Sequence, residues 1–199
     1  PQTLKIKELV ASGKIGQVRM VKGAFCYNLT RPQDVRLDAK MGGGSLWDVG
    51  CYPLSFARMI LGTEPEEVFG WQTTGPTGID EEFVAQVRFP GRMYAQFESS
   101  FRQPHRAYIE IIGEIGSIYI PNPFTPRKAE KVRYSRSGGF NISLRMPGSE
   151  LYIGEVEDIA DTILLGKAQR ISLSDSRANV AAICALYDSA RNGKPILLK

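Results

Sequence analysis

Histidine occurs once and cysteine three times in these 199 residues, and that scarcity removes whole classes of chemistry. Cys26, Cys51 and Cys184 are odd in number, far apart, and without CxxC spacing or a histidine-rich neighbourhood. Neither a disulfide framework nor a zinc site is indicated, and a reducing cytoplasm fits best. No apolar run approaches the roughly 18 residues that a membrane span needs, so no membrane partner is expected. The 25 basic and 21 acidic residues leave a net charge of +4 with both signs intermixed. The clustered basic stripe of a nucleic-acid binder is missing, and the basic segment 127–145 does not make up for it. Phosphate signatures are missing as well. Gly13-Lys14-Ile15-Gly16 lacks the rest of GxxxxGK[ST], and Gly42, Gly43 and Gly44 do not match GxGxxG. No Val/Ile-rich strand of a βαβ unit leads into those three glycines.

What is present is an ordinary globular composition, 43% hydrophobic and 23% charged, in a chain long enough for one core burying roughly 70% of its unfolded surface. A single domain over 1–199 is expected. A short helix opens the chain, with Leu4, Leu9 and Val10 on one face and Gly13 as its stop. Residues 17–29 are β-branched and aromatic and read as a strand. Further strands are read at 66–74, 81–89, 93–101 and 107–120, and their short turn-rich connections favour antiparallel pairing. In 93–101, Met93, Ala95, Phe97, Ser99 and Phe101 alternate with Tyr94, Gln96, Glu98 and Ser100. One sheet face is therefore buried, and the other is wet or an interface.

Residues 121–149 lack periodicity and read as an extended excursion with one edge strand. Two amphipathic helices close the chain. The first carries Ile153, Val156, Ile159, Ala160, Ile163 and Leu164 on one stripe. The second carries Val180, Ile183, Cys184, Tyr187 and Ala190, with Ser174 as its N-cap. Gly166 and Gly193 are their stops.

The chemistry concentrates in GGGSLWDVGCYP, residues 42–53. A helix through 45–61 projects Asp48 and Tyr52, four residues apart, from one side. Pro53 then removes a backbone donor, so either the helix begins near Cys51 or it is kinked. The glycines fit a tight entry turn or the close approach of a ligand or backbone. A tyrosine beside a carboxylate could move a proton for a hydroxyl or carbonyl substrate, provided a cation stands close enough to favour the phenolate. Spacing alone favours the plainer reading, with Asp48 capping or solvating a helix terminus and Tyr52 a half-buried aromatic.

The stretch GGGSLWDVGCYPLSFARMILG resembles the second-domain signature of the Gfo/Idh/MocA family of NAD(P)-dependent oxidoreductases. The segments ASGKIGQVRMVKGAF, TGIDEEFVAQVRFPGRMYAQFESSF, IEIIGEIGSIYI and EVEDIADTILLGK resemble successive blocks of that family in order. The resemblance implies an α+β fold, an open-faced, largely antiparallel β-sheet with helices packed on one face, following an N-terminal Rossmann domain. It implies Tyr52 as the acid/base group, as in the tyrosine-bearing members resembling glucose-fructose oxidoreductase and dimeric dihydrodiol dehydrogenase, and Asp48 as the residue orienting the reacting hydroxyl. Arg36, Gly43 and Gly44 are implied as substrate contacts. The substrate would be a sugar, polyol or related diol, and NAD or NADP the cofactor, bound mainly by the Rossmann domain. The chain has no Glu-Lys-Pro motif, which the family carries on that domain; Pro1 falls about where the second domain would begin, so a fragment is expected. The remaining partners would be its own Rossmann domain and further copies of itself, as a homodimer or tetramer through the open sheet face. A dimerisation platform without activity of its own is the alternative.

Overall fold

The computed structural model describes residues 2–125, 129–148 and 151–198. The chain runs α1 (Gln2–Ala11), β1 (Val18–Asn28), two short 3-10 turns (Val35–Leu37 and Ala39–Met41), and a π-helical turn (Leu46–Gly50) leading straight into α2 (Cys51–Leu61). There follow β2 (Glu67–Thr74), β3 (Asp80–Phe89), β4 (Met93–Ser100), β5 (Arg102–Gly113), β6 (Gly116–Pro121), β7 (Ala129–Arg136), β8 (Phe140–Pro147), α3 (Ile153–Leu165), α4 (Leu173–Asn192) and β9 (Ile196–Leu197). The strands form one sheet in the order β8-β7-β6-β5-β1-β4-β3-β2-β9. Every pairing is antiparallel except that of β1 with β4, which is parallel.

Register decides which face is covered, because directly paired residues point the same way. Val68, Val87, Ala95, Val21, Ile111, Ile118 and Tyr134 make one row across seven strands from β2 to β7, and all are buried. Leu54 and Ala57 of α2 and Ala182, Ile183 and Leu186 of α4 complete this core. The row three residues over, on the opposite face, is wet and mixed: Trp71 pairs with Val84, and Val84 with Glu98. Arg58 locks α2 to α4. Its guanidinium, only 2% exposed, binds the Glu64 carboxylate at 2.7 Å and Asp175 at 3.1 Å, and reaches Asn179. A second, smaller apolar cluster of Leu29, Leu37, Val49, Ile79 and Phe101, with Phe25 and Tyr27 packed against it, supports the loop ahead of the π-turn.

Four local expectations change. In α1 the buried apolar side chain is Ile6, while Leu4 is half exposed. In α4 the buried stripe is Ala182, Ile183, Ala185, Leu186 and Ser189, and Cys184 is exposed. Small residues let α4 lie close to β2, where the Gly70 amide donates to Ser189 Oγ at 3.1 Å. The α4 N-cap is Ser172, which accepts from the Asp175 amide, rather than Ser174. Residues 121–149 form two strands rather than one, because Val132 and Tyr134 of β7 point into the core and Met146 of β8 follows them. Of the basic segment 127–145, residues 127 and 128 lie outside the described residues, as does Pro1. Gly166 and Gly193 end their helices in the left-handed conformation as expected. Among the described residues, no helix is long and apolar enough to cross a membrane.

Candidate active site

The helical run from Leu46 to Leu61 resolves the proline question. An α-helix continued back from Pro53 would press the Val49 carbonyl against the pyrrolidine ring. The wider π-turn over Leu46–Gly50 alters the pairing on that side, and α geometry begins only at Cys51. Such single π-turns inside helices are concentrated at functional sites. Pro53 is buried and packs on β1 at Gly23, where a Cβ would come within 3.0 Å of the Pro53 side chain and 2.7 Å of Ile109. Proline and glycine thus set a close helix-to-sheet contact directly beneath Tyr52.

Asp48 and Tyr52 both line an open cavity of about 520 Å³, with Phe25, Tyr27, Arg36 and Phe124. Asp48 is held from two sides: Tyr27 Oη donates to Oδ2 at 2.8 Å and Arg36 Nε donates to Oδ1 at 2.9 Å. Arg36 in turn is gripped by Asp34, whose Oδ1 accepts from the Arg36 amide at 3.0 Å and from Nη1 at 3.2 Å. The backbone contact is the chief cause that holds Asp34 below the usual carboxylate range. Burial, reinforced by the bond to Asp48, pushes the Tyr27 phenol above its ordinary value, so Tyr27 stays a donor.

Tyr52 is different. Its ring is wedged edge-on against Phe25 at 5.5 Å and tilted against Phe124 at 5.4 Å. Its hydroxyl has no hydrogen-bond partner among the described residues, and the side chain is 43% exposed. Burial of the ring raises its pKa, and Cys51, Tyr152, Asp48 and Glu155 add in the same direction. Among the described residues, no lysine lines the cavity. Cys51 is no rival nucleophile, since burial lifts its thiol to about 11 and the neutral thiol is unreactive.

Gly43 and Gly44 do not line the cavity. A Cβ on Gly43 would stand 2.4 Å from the Arg36 carbonyl oxygen, whose neighbourhood the loop closes by donating from Gly44 N to Arg36 O at 3.0 Å. Gly44 has φ +130°, and its Cβ would lie 2.2 Å from Asp80 Oδ1. The glycines therefore shape the loop that aims Arg36, and the chain's own atoms fill the space beside them.

Asp80, Tyr27, Tyr152 and Glu155 were not singled out by sequence reasoning. Asp80 is 3% exposed and accepts from Ser45 Oγ at 2.9 Å, Leu46 N at 2.8 Å and Tyr187 Oη at 2.7 Å. It anchors the first turn of the site helix. The one available signal was a run of carboxylates, Asp80-Glu81-Glu82, at the head of a strand whose remaining residues alternate apolar and exposed. Tyr27 lies 21 residues from Asp48 and meets it only through the fold.

Comparison with known proteins agrees with this architecture. Residues 3–119 match the family model described as GFO/IDH/MocA C-terminal domain. The chain is 33% identical over 200 residues to an uncharacterized oxidoreductase, ORF334, of Rhizobium meliloti, a match covering 97% of this chain and 60% of the relative. It is 31% identical over 202 residues to D-xylose 1-dehydrogenase (NADP(+)) 2 of Haloferax volcanii, covering 100% of this chain and 61% of that protein. The solved structure of aldose-aldose oxidoreductase from Caulobacter crescentus complexed with glycerol superimposes with a TM-score of 0.88 at 25% identity, over 98% of this chain and 60% of that one. This chain belongs to the Gfo/Idh/MocA family, in the region of its C-terminal domain. It spans about 60% of the length of the relatives it matches.

Because Gly44 combines a positive φ with a backbone seat against Asp80, Gly44→Ala is expected to cost roughly 3 kcal/mol or more in urea unfolding of this chain. Gly42→Ala, with φ +75° and nothing within 4 Å of its Cβ, should cost only about 1 kcal/mol. Equal costs at the two positions would refute the anchor.

Proposed function

We propose that this chain is the substrate side of an oxidoreductase that moves a hydride between NAD(P) and a sugar, polyol or related diol. The observation that carries the reading is a carboxylate pinned by Tyr27 and Arg36 beside an unpartnered phenol in an open cavity. In the oxidative direction the Tyr52 phenolate accepts the substrate hydroxyl proton as the adjacent C–H hydride departs. Asp48, already ionically engaged by Arg36, accepts a neighbouring hydroxyl and orients the substrate, and Arg36 offers its remaining N–H groups to substrate oxygens. A vicinal diol suits two acceptors set side by side. Gly43 and Gly44 act through the loop that carries Arg36.

A bound nicotinamide supplies the hydride acceptor or donor. This chain offers it no phosphate cradle, since neither a GxGxxG turn nor a P-loop is present in the sequence. Holding the cofactor, and supplying the cation that lowers the Tyr52 pKa, therefore fall to the Rossmann domain expected upstream. The D-xylose and aldose activities named for the relatives, and the NADP(+) of one of them, support the substrate class and a nicotinamide. The three free cysteines support a reducing, cytoplasmic setting.

A homodimer or tetramer through the open sheet face is the second reading. Tyr108 stacks on Tyr119 at 5.7 Å, Arg133 lies 4.8 Å over Tyr119, and Trp71 is 56% exposed. Tyrosine, tryptophan and arginine are the residues that dominate interface energetics.

In the full-length protein, assayed by nicotinamide reduction against a polyol and aldose panel, Tyr52→Phe should lower the turnover rate by at least about 100-fold. An unchanged rate would remove Tyr52 from the chemistry. Light scattering at high micromolar concentration should show a dimer or larger, and a monomer would contradict the sheet-face assembly.

A further inference from the structure

Arg36 serves two carboxylates at once. Its Nε donates to Asp48 and its Nη1 to Asp34, and all three side chains line the Tyr52 cavity. One carboxylate on a guanidinium makes a neutral pair, and a second leaves the group with a net negative charge. The proton transfer assigned to Tyr52 uses Asp48 to orient the substrate, whereas Asp34 takes no part in it. Yet Asp34 is the more sheltered of the two, its side chain 10% exposed against 23% for Asp48.

Asp34 does more than cap a turn. It is the N-cap of the 3-10 turn Val35–Leu37, where its Oδ1 accepts from the Arg36 amide at 3.0 Å. Asparagine or serine would fill that place as well. The same oxygen also accepts from Arg36 Nη1 at 3.2 Å, which ties the long side chain back to the backbone it springs from and holds the guanidinium in one direction. Nε and Nη1 are thereby engaged, and among the described residues Nη2 makes no hydrogen bond. Nη2 is the part of the group left for a ligand.

A ligand carboxylate or phosphate on Nη2 would be the third anion on one guanidinium. A hydroxyl there accepts the hydrogen bond without adding charge. The other charged residues of the lining, Arg31 and Glu155, are one of each sign, so among the described residues the cavity keeps the negative balance of Asp34, Arg36 and Asp48. We infer that Asp34 sets the charge specificity of the site: by sharing Arg36 with Asp48 it turns a guanidinium suited to acidic ligands into a donor for hydroxyl groups, and selects neutral sugars, polyols and diols against uronic, aldonic and phosphorylated ones. This role rests on the Tyr52 cavity being the substrate site. Without the Asp34 charge, Arg36 and Asp48 would form a neutral pair with a free guanidinium edge, the arrangement that binds carboxylates and phosphates well.

Ligand titrations of the full-length protein by saturation-transfer NMR test this, at low salt and near neutral pH, where the acids are ionised. The probes are matched pairs: glucose with glucuronate, galactose with galacturonate, and glucitol with gluconate. The neutral member of a bound pair should bind roughly tenfold tighter than its acid, or more. Asp34→Asn, which keeps an oxygen for the turn and removes the charge, should narrow that ratio at least about fivefold. Asp34→Glu, which keeps the charge, should retain the ratio even where both affinities fall. A purely structural role would scale both members of a pair together, so an unchanged ratio in Asp34→Asn, with sugars still bound, overturns the inference alone. An unmodified protein that binds an acid as tightly as its neutral partner also overturns it. Binding of no member of any pair would remove the sugar reading of the cavity, and the inference with it.

Discussion

A single buried carboxylate holds the candidate site in place. Asp80 sits at the head of β3 with 3% exposure, where an unpaired charge would be heavily penalised. Burial raises its pKa, and the bonds from Tyr187, the Leu46 amide and Ser45 pull the other way. Those three donors come from α4, the first residue of the π-turn and the residue before it. Sheet, site helix and closing helix therefore meet at one group. Ser45 also lies 3.0 Å from Ser99 of β4, which ties the same point to the middle of the sheet. The Leu46 amide is one of the orphan donors at a helix start, and Asp80 satisfies it from outside the helix.

The rest of the site is built outward from that anchor. With the helix start fixed, the π-turn sets where α geometry begins, and Pro53 drops onto the space left by Gly23. Tyr52 is then carried over Phe25, and Asp48 falls between Tyr27 and Arg36. The loop that brings Arg36 is folded on itself by bonds from Gly43 N to Asp38 O and from Gly44 N to Arg36 O. It rests on the small cluster around Leu37 and Phe101. Asp48 is thus fixed by charge and hydrogen bonds, whereas Tyr52 is held by ring packing and its hydroxyl has no hydrogen-bond partner among the described residues.

Alternation made the sheet readable, because Met93 to Phe101 can bury only one set of side chains. The pairing of Asp48 with Tyr52 was equally readable from their spacing. Three things were not. The helix phase in α4 was misjudged because Cys184 and Ala185 are both acceptable inside, and only the fit against Gly70 chooses between them. The second strand after residue 121 was hidden by polar residues such as Asn141, Ser143 and Arg145 that alternate on its open side. Asp80 and Tyr27 were missed because their partners are remote in sequence, and a strand carboxylate or tyrosine has no local pattern that announces its contact. The glycines before the helix read as a tight turn or as the close approach of a ligand or backbone, and among these it is the chain's own Arg36 backbone and Asp80 that take the space.

The central claim is that Tyr52 carries the proton. Its phenol is raised by burial in this chain, so the account requires a cation from elsewhere in the full-length protein to bring it down. The most direct measurement is the pH dependence of kcat/KM for alcohol oxidation by that protein, with and without Tyr52→Phe. The rate should climb with pH and level off above an apparent pKa lower than the ordinary tyrosine value of about 10, and the substitution should abolish that limb. An identical limb in both proteins would contradict the account.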